Sequence, residues 1–141
     1  MVASLKSTTA EGAIRELAEA MQQNRFVSNA AALVTAAMER EAVLTTATGS
    51  GIAFPHVRGV EGGGLTLALG VSAKGIDFAG EKVRIVFFSV IPMAVSAFYL
   101  RLMSGLAEAF GKQENREALM GAKTSAALWK AFIKATRYTI K

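Results

Sequence analysis

Residues 85–100 carry no charged side chain over sixteen successive positions, and Pro92 stands inside the run. An uncharged stretch of that length has to be hidden from water. It is shorter than the ~20 residues a helix needs to cross a bilayer, and the proline breaks it in two. A strand over residues 83–91, followed by a helix over 94–110 that Gly111 stops, accounts for it. Such an apolar strand is expected at the centre of a sheet covered on both faces. On the helix that follows, Val95, Phe98, Leu102 and Leu106 fall on one face, which predicts that they pack inward.

The rest of the chain supplies the covering layers. Residues 2–8 predict a short strand or extended arm. Thr9 is placed to cap a helix over 9–23, in which Ile14, Leu17, Ala18 and Met21 recur at helical spacing, and Asn24-Arg25 ends it. Ser28 or Asn29 caps a second helix through Glu41, with Ala30, Leu33, Val34, Ala37 and Met38 inward. Residues 43–47 read as a strand, 48–51 as a glycine loop and 52–54 as an apolar run stopped by Pro55. Residues 59–64 read as a loop, 65–71 as a strand and Lys74-Gly75 as a turn. Asn115 caps a short helix to Met120, and Thr124 or Ser125 caps a last one. Helices alternating with apolar strands predict the α/β class: a three-layer α/β/α sandwich with a mixed central sheet flanked by helices. The 141 residues are expected to form one domain, 1–141.

Composition narrows the chemistry. The chain has no cysteine, which excludes disulfides and thiolate metal sites and fits the cytoplasm. The first residues lack the pattern of a secretory signal. The net charge of +5 is local: Lys123, Lys130, Lys134, Arg137 and Lys141 fall in a final segment with no acid, while the first 120 residues are balanced. This predicts a basic face on the last helix, with Leu128, Phe132 and Ile133 packed on the core. That face is suited to an anionic partner or membrane surface. No nucleic-acid partner is expected.

The chain has a single histidine, His56. One histidine is a poor metal site, since zinc takes three or four protein ligands. No G-x-S-x-G nucleophile elbow accompanies it. The histidine follows Gly49-Ser50-Gly51-Ile52-Ala53-Phe54-Pro55, and upstream stand Glu39-Arg40-Glu41 and Thr45-Thr46. Proline restrains the backbone that presents the imidazole. Glycine backbone N–H groups and threonine hydroxyls can bind an anion, and Arg40 and Arg58 can add positive charge. A neutral imidazole, with a free pKa of about 6.5, is nucleophilic near pH 7. These residues by themselves describe an anion site with one histidine.

The segment from Glu39 to His56 closely resembles the active-site signature of the fructose/mannitol-type enzyme IIA domains of the phosphoenolpyruvate-dependent sugar phosphotransferase system, a family that includes a nitrogen-regulatory branch. That signature runs Glu-Arg-Glu, Ser/Thr-Thr, a glycine loop, then Gly-Ile-Ala-Ile-Pro-His, and this chain matches its spacing without a gap. The likeness extends over roughly residues 1–130. It implies a phosphotransferase needing no cofactor or metal. His56 would be phosphorylated on its ε nitrogen by the histidine phosphocarrier protein and would discharge to a IIB domain. Arg40 would stabilise the phosphoryl group, with Thr45, Thr46, Gly49, Ser50, Gly51 and Arg58 around it. Two further roles share this resemblance: a regulatory IIA whose phosphorylation state controls a partner protein, and a binding module that keeps the fold without the chemistry.

The chain departs from the family pattern in three places. A second histidine commonly opens a His-Leu-x-x-Leu motif after the central strand; here the motif reads Tyr99-Leu100-Arg101-Leu102-Met103. Phe54 replaces an isoleucine, and the loop near Gly80-Glu81 is shortened. Tyr99 is therefore expected to share the site with His56 and Arg40.

Overall fold

The computed structural model describes residues 1–60 and 64–140. Helix α1 spans Ala10–Gln23 and α2 spans Ala30–Val43. Their N-caps follow the sequence reading: Thr9 Oγ1 accepts from Gly12 N, and Asn29 Oδ1 from Ala32 N. Strands β1 (Ile52–Ala53), β2 (His56–Val60), β3 (Thr66–Phe78) and β4 (Glu81–Pro92) follow. A 3₁₀ turn, Met93–Val95, leads into α3 (Ser96–Phe110), then α4 (Gln113–Met120) and α5 (Ser125–Thr136).

The apolar run therefore becomes the end of β4 and the start of α3, divided at Pro92. Among the described residues no helix is long and apolar enough to cross a membrane. β4 is the centre of the mixed sheet. β3 pairs with it antiparallel, while β1 and β2 pair with it parallel, Ile52 opposite Ile85 and His56 opposite Ser89. The register offset is the same for both, so β1 and β2 lie end to end along one edge of β4 with Phe54-Pro55 between them. On the far side of β3 the N-terminal arm adds backbone bonds, Val2 N to Leu69 O and Leu5 N to Val71 O, each 2.8 Å.

Side chains from successive β4 residues enter opposite faces. Val86, Phe88 and Val90 pack under α1 and α2 with Ile14, Leu17 and Val34. Ile85 and Phe87 pack under α3, α4 and α5 with Leu106, Phe110, Leu119 and Leu128. Phe54 stacks on Phe87 with centroids 5.5 Å apart, so the aromatic that stands in for the family's isoleucine joins this second core.

Several local expectations are corrected. Residues 43–47 are not a strand: Val43 ends α2, and a single bridge joins Ala47 to Ala53. Glu41 holds this segment down instead, its carboxylate accepting from Thr46 N at 3.1 and 3.2 Å. Lys74-Gly75 is not a turn but a bulge inside β3, where the register against β4 shifts between Val71 and Ile76. Gly75 has φ +95°, and any Cβ there would strike the Lys82 side chain. The reversal comes at Ala79-Gly80, both with positive φ, in the tight hairpin geometry that suits the strand twist. The expected loop over 59–64 begins later, since β2 runs to Val60; Gly62 and Gly63 lie outside the described residues.

The inward face of α3 is made by Tyr99, Leu102, Leu106, Ala109 and Phe110, whereas Phe98 is 41 % exposed. Asn115 lies inside α4, donating its side-chain N–H to Ala109 O at 2.7 Å, and Lys112 is the N-cap. Thr124 caps α5, as its sequence suggests. Leu128 and Phe132 are buried, but Ile133 faces outward.

Candidate functional site

His56 opens β2, and the proline before it stands in the short break between β1 and β2. Its Nδ1 lies 3.0 Å from Phe54 O. A carbonyl can only accept, so Nδ1 carries the proton in the neutral ring. That fixes the tautomer and leaves the Nε2 lone pair free. The ring is half-buried, and its centroid lies 5.8 Å from that of Tyr99.

Arg58 stands two residues along the strand and therefore projects from the same face as His56. Its guanidinium carbon sits 5.7 Å from the centre of the Tyr99 ring. Tyr99 reaches the pair from the first turns of α3, where its body is 6 % exposed. Burial pushes the Tyr99 phenol pKa above the usual value, and the charges of Arg58 and Arg40 oppose that shift. The phenol therefore stays protonated near neutral pH and can donate. Arg40 comes from the end of α2; its Nη1 donates to Leu44 O at 2.8 Å, leaving the remaining guanidinium donors available. The first turn of α3 has no side-chain cap and no acidic residue, so its positive dipole end remains uncompensated on the same side of the sheet.

The sequence-predicted residues divide into two groups. His56, Arg58, Tyr99 and Arg40 converge. Thr45 and Thr46 lie close by, because Phe54 N donates to Thr46 O at 3.3 Å. Their polar atoms have local partners: Thr45 Oγ1 accepts from Ala47 N, and the Thr46 hydroxyl bonds Glu41 Oε1. Glu41 also belongs to this neighbourhood, through its bonds to Thr46. It fastens the threonine segment beside Ala53 and Phe54, just ahead of the histidine-bearing strand, and its place in Glu39-Arg40-Glu41, five residues before Thr46, was the signal for it.

Gly49, Ser50 and Gly51 lie elsewhere. Gly51 O accepts from Arg84 N and Ile85 N at the start of β1, while His56 lies level with Ser89, about 16 Å farther along the strand. The glycine loop borders its own cleft of about 170 Å³ with Glu81 and Lys82. The phosphate-binding role expected of these three residues thus has no geometry connecting it to His56.

The convergent group has an anion's requirements: positive charge, a neutral donor and a nitrogen nucleophile of fixed tautomer. Comparisons with known proteins show the family. Residues 2–135 match the family described as "Phosphoenolpyruvate-dependent sugar phosphotransferase system, EIIA 2". The fructose-specific EIIA component of Haloferax volcanii is 31 % identical over 119 residues, covering 82 % of this chain and 77 % of that protein. Among solved structures, the nitrogen regulatory protein IIA-Ntr of Neisseria meningitidis aligns with TM-score 0.79 at 22 % identity, over 92 % of this chain and 89 % of that one. The Escherichia coli mannitol IIA in its complex with phosphorylated enzyme IIB aligns with TM-score 0.73 at 18 % identity, over 96 % and 92 % of the two chains. These structures share the α/β sandwich. With its fold and its sequence agreeing over nearly the whole length, the chain belongs to the EIIA 2 family, the phosphoryl-carrying IIA components of the phosphoenolpyruvate-dependent sugar phosphotransferase system.

Proposed function

We propose that this chain, acting as one domain in the cytoplasm, accepts a phosphoryl group on His56 Nε2 from the histidine phosphocarrier protein and passes it to a IIB domain. The observation that carries the reading is the hydrogen bond from His56 Nδ1 to Phe54 O, which keeps the proton on the far nitrogen and the nucleophilic lone pair on Nε2. As the donor's phosphorus–nitrogen bond breaks, the bond to Nε2 forms, and Nε2 has no proton to lose. Phosphoryl transfer needs positioning and charge stabilisation more than covalent help. Arg40 and Arg58 supply charge, and the Tyr99 hydroxyl donates to a phosphoryl oxygen. Family membership supports the same reading, as does the E. coli relative solved with phosphorylated IIB.

Incubated with phosphoenolpyruvate, enzyme I and the phosphocarrier, the wild-type protein should take up an acid-labile, base-stable phosphate that His56→Ala abolishes. An unlabelled wild type would refute the proposal and leave a binding module with the family's fold.

A second reading, a regulatory IIA whose phosphorylation state is sensed by a partner, is favoured by Tyr99. A neutral phenol in place of a second imidazole provides less charge for onward transfer. Rapid discharge of the label by IIB supports transport; a label that persists until a regulated partner binds supports regulation.

A further inference from the structure

The outer face of α5 has a composition that neither the core nor the phosphoryl site uses. Trp129 is 52 % exposed and Ile133 42 %, although both sit on a helix whose other face is firmly packed. At 100° per residue, Trp129, Ile133, Arg137, Lys130 and Lys134 fall in order across an arc of about 140°. Apolar groups occupy one side of that arc and cations the other. Tyr138, just beyond, is 80 % exposed. Residues 121–140 contain no acid. Among the described residues, Lys123, Lys130, Lys134 and Arg137 have no hydrogen-bond or ion-pair partner, and the Trp129 indole N–H has no acceptor.

We infer that this face docks the protein on an anionic lipid surface, with Trp129 and Ile133 entering the headgroup boundary and the cations lying over lipid phosphates. Two observations favour lipid over an acidic protein. Lysine is depleted at protein–protein interfaces, whereas lysine beside tryptophan is the composition of interfacial helices. An exposed indole with a free N–H, close to an exposed tyrosine, suits the amphipathic belt at a bilayer surface. A helix of 12 residues can lie on a bilayer but not cross one. The inference is independent of the chemistry at His56.

Trp129 is the only tryptophan, so it reports on its own environment. Full-length protein is titrated with phosphatidylcholine vesicles containing or lacking phosphatidylglycerol, at low salt. Co-sedimentation and a blue shift of Trp129 emission are expected with the anionic vesicles alone, reversed by added salt. The variant Lys130→Gln/Lys134→Gln/Arg137→Gln, checked for native circular dichroism, should partition roughly a hundredfold less. His56→Ala should bind as wild type does, which separates this result from any failure of phosphorylation. The absence of a blue shift, equal binding to neutral vesicles, or full binding by the charge variant would overturn the inference. Binding to acidic proteins without vesicle binding would overturn it as well.

Discussion

Tyr99 touches two residues of the candidate site, His56 by ring contact and Arg58 by its face. Its hydroxyl is the group whose loss should be felt most in transfer without disturbing the nucleophile. Tyr99→Phe keeps the packed ring and removes one donor to a charged acceptor. A phosphorylation rate lower by about ten- to a hundredfold is expected in a stopped-time labelling assay. The same residue makes an alkaline prediction. Because burial raises its pKa, the folded chain holds a proton that the unfolded chain releases near pH 10. The stabilising difference is complete below that pH and is lost as the pH rises through the raised value. Denaturant titrations across that window should show wild type losing stability that Tyr99→Phe does not lose. The sequence already grouped His56, Arg40, Arg58 and Tyr99, because a gapless motif carried Arg40 and His56, the charge of Arg58 stands two residues beyond it, and a departure from the family pattern exposed Tyr99. It also drew in Gly49, Ser50 and Gly51, since nearness in sequence says nothing about how far an extended strand carries the chain.

At the scale of elements, helix ends were more legible than strands. Thr9, Asn29 and Thr124 act through groups within three residues, so their effect is written locally. Strand extent depends on a partner instead. Lys74-Gly75 has the residues of a turn, and only pairing with β4 makes it a bulge. β2 alternates only over His56-Val57-Arg58 before Gly59 interrupts it, too short a pattern to mark a strand. The inward face of α3 was misplaced by one residue, from Phe98 to Tyr99, because three adjacent large apolar side chains at 98–100 satisfy more than one helical phase. The hairpin between β3 and β4 offers a direct test. Ala79 sits at φ 53°, a conformation that costs an L-residue with a Cβ about 1–2 kcal/mol. Ala79→Asn, which restores the preferred residue pair before Gly80, should raise unfolding free energy by about 1 kcal/mol in urea.

The whole molecule is two apolar layers separated by one sheet, and Phe87 anchors the layer beneath the site. It meets Phe54, Phe110 and Phe132. Phe87→Ala should cost about 3–5 kcal/mol, read as a lower urea midpoint with unchanged slope. It should also loosen Phe54, whose carbonyl fixes the His56 tautomer. The two-layer plan was legible because a long uncharged run has only one comfortable place in a chain this short.

Each of the other three strands pairs with β4. Edge segments from residues 52–60 thus have no parallel partner until the chain has been synthesised through Pro92. The histidine-bearing strand must wait, open, for a segment some thirty residues downstream, and closing such a loop has to precede any reward from the pairing. Folding of this carrier is therefore paced by the arrival of its central strand: a ribosome-bound chain ending before β4 should expose residues 52–60 to protease, and release of β4 should protect them in one cooperative step.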